Sequence, residues 1–134
     1  MKYLLETNIC IYLIKKKPVT VIDRFNEHSI GDIGVSSITV AELFFGAQKS
    51  QHRKQNQTAL MQFISPLIIA EFDTDAAISY GKIRAELEFK GTPIGSMDTL
   101  IAGHALSLDV TLVTNNEREF CRVSGLNIDN WVDH

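Results

Sequence analysis

Apolar residues in this chain fall into two rhythms, short unbroken runs and helical spacings, and the two alternate from one end to the other. Tyr3-Leu4-Leu5 is a run of strand length that stops at Glu6-Thr7-Asn8. Ile9, Ile11, Tyr12, Leu13 and Ile14 then predict a short helix from Asn8 to Lys17, closed by Lys15-Lys16-Lys17, where cations suit the negative end of the helix dipole. Pro18 suits the first turn of a second helix with Val19, Ile22 and Phe25 on one face. After the turn-like Gly31-Asp32, Ile33-Gly34-Val35 is a buried strand ending in Ser36-Ser37. The next helix opens near Thr39 and carries Val40, Leu43, Phe44 and Ala47 at helical spacing. Polar and basic residues from Gln48 to Gln57 read as a solvated loop and helix start, leading to Leu60, Phe63 and Ile64.

Leu67-Ile68-Ile69 has the composition of a third strand. Thr74 with Asp75 starts a helix with Tyr80, Ile83 and Leu87 buried, and Lys90-Gly91 ends it. Ser96 or Asp98 begins the helix running from Thr99 to Leu108, whose core face is Ile101, Ala105 and Leu108. Thr111-Leu112-Val113-Thr114 is a fourth strand, Asn127-Ile128 a short edge strand, and Trp131 docks the tail. Strands separated by helices predict an α/β fold with a mainly parallel sheet of about five strands covered on both faces. Residues 1–134 read as one domain without repeats or linkers.

Composition narrows this only a little. Hydrophobic residues at 45% and charged ones at 22% exclude wholesale disorder. A net charge of −3 argues against holding nucleic acid by bulk positive charge, but a metal site gathers acids locally and inverts the field there. No apolar run approaches the roughly 20 residues of a membrane span, and the first run is too short for a signal peptide. A cytoplasmic protein with no membrane attachment is expected. Cys10 and Cys121 form no ligand or redox pattern and read as free thiols.

The candidate chemistry lies at the ends of strands. Glu6 follows the first strand, Glu42 lies early in the helix after the second, and Asn116 with Glu119 follows the fourth. Asp98 adds a carboxylate at a helix start just before that last strand. Each has a structural explanation: Glu6, Thr7 and Asn8 as turn and cap residues, Thr39-x-x-Glu42 as a capping box, and Asp98 as a first-turn acid favoured by the dipole. Ligands in open α/β sheets collect outside the carboxyl ends of strands, so a shared edge is harder to assign to unrelated caps. Carboxylates at close range resist joint ionisation unless a cation lies between them, and Mg²⁺, or Mn²⁺ in its place, suits an all-oxygen set. No Cys/His set favours zinc, and His104 reads as a structural histidine.

Taken in order, Leu4-Leu5-Glu6-Thr7-Asn8-Ile9, Ser37-Ile38-Thr39-Val40-Ala41-Glu42-Leu43, Gly46-Ala47, Pro93 through Ala105 with its Met97-Asp98-Thr99, Leu112-Val113-Thr114-Asn115-Asn116 and Glu119-Phe120 resemble the PIN-domain ribonucleases. The closer resemblance is to the VapC toxins of bacterial toxin–antitoxin pairs. It implies a PIN domain with a central first strand and a Mg²⁺-dependent endoribonuclease. The family's acidic positions fall on Glu6, Glu42 and Asp98, and its fourth position on Asn116, with Glu119 as a substitute. The implied roles are direct metal binding by Glu6 and Asp98, completion of the shell by Asn116, and water positioning by Glu42. Thr7 and Thr114 would orient carboxylates and phosphate. The resemblance also implies a homodimer, a VapB-type antitoxin covering the cleft, operator DNA reached only through that antitoxin, and tRNA as substrate, with the initiator tRNA anticodon stem-loop a frequent target.

One residue departs from the pattern. The family motif reads Leu-Leu-Asp-Thr-Asn, and this chain has Glu6. The added methylene displaces the carboxylate by about 1.5 Å, and Mg²⁺ tolerates displaced ligands poorly. Glu6 is therefore expected to weaken catalysis more than folding. Two alternatives follow from the residues: a catalytically impaired copy that serves as an antitoxin-binding partner, and a receiver-like Mg²⁺-binding signalling domain. The second lacks the adjacent acids and late-strand lysine it requires.

Overall fold

A computed structural model describes residues 1–133. In chain order the elements are β1 (Tyr3–Leu5), α1 (Thr7–Lys15), α2 (Val19–Asn26), a 3-10 turn (Ile30–Asp32), β2 (Ile33–Ser36), α3 (Ser37–Lys49), α4 (Arg53–Ile64), β3 (Ile68–Ala70), α5 (Thr74–Phe89), α6 (Ser96–Leu108), β4 (Thr111–Val113), α7 (Glu117–Phe120) and β5 (Ile128–Asp129). The strands form one sheet in the order β3-β2-β1-β4-β5, every neighbouring pair parallel. The α/β architecture and central first strand expected from the sequence are present. A receiver-like domain has the order 2-1-3-4-5 instead, so that alternative is excluded by topology.

β1 explains why the sheet needs cover on both sides. Side chains alternate faces along a strand, and both Leu4 and Leu5 are fully buried. Leu5 packs into a core with Ile9 and Cys10 of α1, Val21 of α2, Leu43 of α3 and Leu60 and Ile64 of α4. Leu4 packs into a second core with Ile83 and Leu87 of α5, Ile101, Ala102 and Ala105 of α6 and Phe120 of α7. Each leucine contributes about 2 kcal/mol of apolar burial. At Gly103 the α5 and α6 backbones come so close that a Cβ would lie 2.9 Å from the Tyr80 Cα. Trp131, fully buried, closes the first core beneath Tyr3 and His28.

Several expected details differ. Val21, not Val19, is the buried valine of α2, and Val19 is exposed, because the helix turns its Val21 and Phe25 inward together. α1 ends at Lys15, with Lys16 in the left-handed region at φ 61° as its C-cap. α3 begins at Ser37, two residues before Thr39, since the Ser36 hydroxyl accepts from the Ile38 N–H and caps the helix. α6 begins at Ser96, so Asp98 and Thr99 lie inside its first turn. β5 is Ile128–Asp129, one residue later than expected. Among the described residues no helix is long and apolar enough to cross a membrane. Cys10 is buried and Cys121 exposed, both free.

Candidate active site

The chain leaves β1 in one direction through β2 to β3 and returns across the sheet to β4 and β5, so the topological switch lies between β1 and β4. The crevice at such a switch is where open α/β sheets hold ligands. Glu6 stands at the end of β1 and Thr114 at the end of β4, and they meet: the Thr114 hydroxyl donates to Glu6 Oε1 at 3.0 Å. The Asn8 backbone N–H donates to Glu6 Oε2 at 2.9 Å, so Glu6 is also the N-cap of α1. The cap explanation thus holds for Glu6 in part, with both of its oxygens engaged. Only 4% of Glu6 is exposed. Burial raises its pKa, opposed by these two hydrogen bonds and reinforced by the charge of Glu42.

Glu42 arrives from α3. Its Oε1 accepts from the Thr7 hydroxyl at 2.7 Å, and Thr7 lies 3.4 Å from the Thr39 hydroxyl. The capping box is therefore not formed. Helix α3 is capped by Ser36, and Glu42 turns instead toward the end of β1, where Thr7 holds it. Phe44 packs against the core while Phe45 is 64% exposed on the outer side of α3.

Asp98 comes from the first turn of α6, where the helix dipole favours its charged form by about 0.5–1 kcal/mol. That is outweighed. Burial, a hydrogen bond with Glu119 and the charges of Glu6, Glu119 and Glu42 push the Asp98 carboxyl up to about 7. Glu119 is held below the ordinary carboxylate range, first by the Asp98 hydrogen bond and then by Asn116, whose Nδ2 donates to Glu119 Oε2 at 2.7 Å. The Asn116 N–H in turn donates to the Thr114 hydroxyl at 2.9 Å. Glu6, Thr7, Glu42, Asp98, Thr114, Asn116 and Glu119 thus occupy one hollow at the switch point.

Whether this hollow fits a divalent cation follows from its donors. All are oxygens of carboxylate, amide or hydroxyl type, the set that hard cations take. Asp98 and Glu119 lie close enough to repel when both are charged, a repulsion that a cation would relieve. The carboxylates do not form a finished cage: among the described residues no three His, Cys, Asp or Glu side chains stand at ligand spacing. Mg²⁺ needs only one or two carboxylates, taking water and phosphate oxygens elsewhere, so the residues fit it on that footing.

Sequence reasoning placed the helix cap at Thr39 and missed Ser36, though a serine directly after a buried strand is a cap signal in its own right. It also missed Tyr12, whose hydroxyl accepts from Asn115 Nδ2 at 3.2 Å beside the hollow. An apolar groove of about 320 Å³ runs from Thr7 and Glu42 along α1, α3 and α4, past Ile11, Ile14, Gly46 and Leu60.

The PIN domain family model matches residues 3–126. The chain is 46% identical over 131 residues to a tRNA(fMet)-specific endonuclease VapC of Shigella flexneri, covering 98% of each chain. Among solved structures it resembles the DNA-bound VapBC of Salmonella typhimurium, with a TM-score of 0.93, 47% identity and 98% of both chains covered. VapBC2 of Rickettsia felis, bound to a DNA fragment from its promoter, matches with a TM-score of 0.90 and 43% identity over 98% of this chain and 99% of that one.

Proposed function

Because this chain belongs to the VapC ribonucleases of the PIN-domain family, we propose that it hydrolyses RNA phosphodiesters at the hollow between β1 and β4, with tRNA(fMet) as the substrate its relatives suggest. Ribonucleases of this domain are in general metal-dependent, and Mg²⁺, with Mn²⁺ as substitute, suits the oxygen donors. The observation that carries the reading is the gathering of Glu6, Glu42, Asp98 and Glu119 at the ends of β1 and β4, tied there through Thr7, Thr114 and Asn116.

A divalent cation, when bound, supplies positive charge at the phosphate and makes a water more acidic. Glu6 and Asp98 would hold it, with Asn116 completing the set directly or through water. Thr114 fixes one oxygen of Glu6, and Thr7 fixes one oxygen of Glu42. Glu42 Oε2 is then left to accept a proton from the attacking water, in line with the bond that breaks. As the water oxygen joins phosphorus the bond to the ribose 3′-oxygen breaks, solvent water protonates that oxygen, and the products carry a 5′-phosphate and a 3′-hydroxyl. Glu119, bound to Asn116 and close to Asp98, adds negative charge to the hollow rather than touching substrate.

The apolar groove leading away from Glu42 suits an antitoxin segment of the VapB type, and exposed Phe45 offers an anchor beside it. A homodimer in the bacterial cytoplasm, reaching operator DNA only through that antitoxin, completes the reading; the DNA-bound complexes among its structural relatives support it. Glu6 also favours a second reading, an attenuated or silent toxin copy, because its longer arm is committed to Asn8 and Thr114.

The test is end-mapping of cellular RNA after expression, with Asp98→Asn as control. Discrete new 5′-phosphate ends in tRNA(fMet), absent with Asp98→Asn and in EDTA-treated purified enzyme, are expected. Cleavage that survives EDTA would defeat the metal-assisted mechanism, and no cleavage at all would leave the silent copy.

A further inference from the structure

His104 takes no part in the chemistry above, yet it is only 1% exposed on the helix that carries Asp98. Its Nδ1 lies 2.8 Å from the Ser36 Oγ. Burial keeps the imidazole in its neutral form, against the opposing pull of Asp73 and the Glu71 backbone. Ser36 is itself the N-cap of α3, the helix that carries Glu42. One buried hydrogen bond therefore joins the foot of α3 to the middle of α6.

Among the described residues no other side-chain hydrogen bond joins these two helices. On its other side α6 is pinned by the close approach of Gly103 to the Tyr80 backbone. Phe72 packs its ring edge-on against His104 at 5.3 Å, and its N–H donates to the Ser37 hydroxyl at 3.1 Å, which ties the end of β3 to the same corner. A hydrophobic contact is non-directional and lets a helix slide along or rotate about its axis, whereas a hydrogen bond weakens steeply with angle. Beside the packing contact at Gly103, the Ser36 oxygen and the His104 nitrogen thus give α6 a directional tie to the foot of α3, and the two helices so tied carry Asp98 and Glu42.

We propose that His104 and Ser36 are positioning residues for the hydrolytic site, a buried staple that sets the spacing between Asp98 and Glu42. This rests on the assignment of those two acids to the site. Displacement of catalytic groups by about 1 Å costs up to a hundredfold in rate, so a loosened staple is read in turnover and cation binding before it is read in folding.

Two variants separate the staple from mere packing. His104→Leu keeps most of the ring's volume and loses the bond; His104→Asn keeps a polar atom near the Nδ1 position and loses the ring's volume. The measurements are Mn²⁺ binding to the purified full chain by calorimetry, kcat and KM on tRNA(fMet) transcript, and the thermal midpoint. With a staple, His104→Leu lowers kcat and Mn²⁺ affinity by about tenfold with KM little changed, while His104→Asn melts lower yet stays within about twofold of wild type in both. Ser36→Ala also removes the α3 cap and so melts lower, but it lowers kcat and Mn²⁺ affinity at least as much as His104→Leu, and the double variant loses no more of either than Ser36→Ala alone, because the staple bond is already absent there. If packing alone matters, the order reverses and activity follows the melting midpoint, which overturns the proposal. Should His104→Leu fail to fold, Ser36→Ala carries the same comparison. A wild-type chain that binds Mn²⁺ and cleaves RNA beside an unaltered His104→Leu or Ser36→Ala overturns the staple alone. A wild-type chain that does neither overturns the site assignment, and the staple with it.

Discussion

Replacing Asp98 by asparagine should make the metal-free protein more stable above neutral pH, although it removes a residue assigned to catalysis. The Asp98 carboxyl moves from an ordinary 3.8 in the unfolded chain to about 7 in the folded one. A group with a raised folded pKa binds more protons folded than unfolded, so its contribution is present in full below the unfolded value and is lost as pH rises through the folded one. Between about pH 4 and pH 7 the wild-type fold therefore loses stability through Asp98. The shift of about 3 units corresponds to about 4 kcal/mol at 1.36 kcal/mol per unit. Solvent reaches this half-buried carboxyl and screens it, which reduces the expected effect to about 1–2 kcal/mol.

Glu119 works in the opposite sense. Its lowered pKa adds stability above the ordinary glutamate value that is lost as pH falls through the folded one, in a window below that of Asp98. Asparagine retains a donor for Glu119 and carries no charge into the hollow. Urea denaturation of chelator-treated protein at pH 5 and pH 8 measures the balance: Asp98→Asn should gain about 1–2 kcal/mol on wild type at pH 8 and much less at pH 5. Millimolar Mg²⁺ should narrow the gap at pH 8 by binding wild type and not the variant. An equal difference at both pH values, or a variant less stable at pH 8, would refute the claim that these acids crowd one another.

Three further outcomes are expected. Glu6→Asp draws the carboxylate back by about 1.5 Å toward the family position and should speed RNA cleavage by about tenfold or more; equal initial rates would remove the case for attenuation. Thr114→Val deletes the donor to Glu6 and the acceptor for the Asn116 N–H, so it should cost about 1–3 kcal/mol by chemical denaturation and reduce cleavage as well. Gly103→Ala places a methyl 2.9 Å from the Tyr80 backbone and should cost about 1–3 kcal/mol by forcing α5 from α6, a loss visible as a lowered thermal midpoint.

Strands and helices were legible because burial here follows periodicity closely: Leu4-Leu5 and Ile33 through Val35 are continuous apolar runs, and those strands are covered on both faces. Boundaries were less legible wherever a side chain had two possible partners. Thr39 with Glu42 has the spacing of a capping box, and only the arrival of Thr7 from a strand distant in sequence decides that Glu42 looks elsewhere. Val19, Ile22 and Phe25 match a helical face as well as Val21 and Phe25 do, and the choice between them depends on how α2 meets the sheet. The candidate acids could be read from positions at strand ends, but not the burial of Asp98 and its crowding against Glu119 that raise the Asp98 pKa, since these depend on distances between elements. Ser36 reads as a helix cap and His104 as a core histidine, but nothing in the sequence links the two, and only the packed helices bring them to 2.8 Å.

The placement of β1 at the centre of the sheet, between strands far apart in sequence, has a consequence for folding. Tyr3 to Leu5 must wait for Thr111 to Val113 before its second side is paired, so the crevice stays open-sided until most of the chain has left the ribosome. Asn116 and Glu119 emerge later still. The crevice is therefore closed by a contact that spans 108 residues of sequence, from Thr114 back to Glu6.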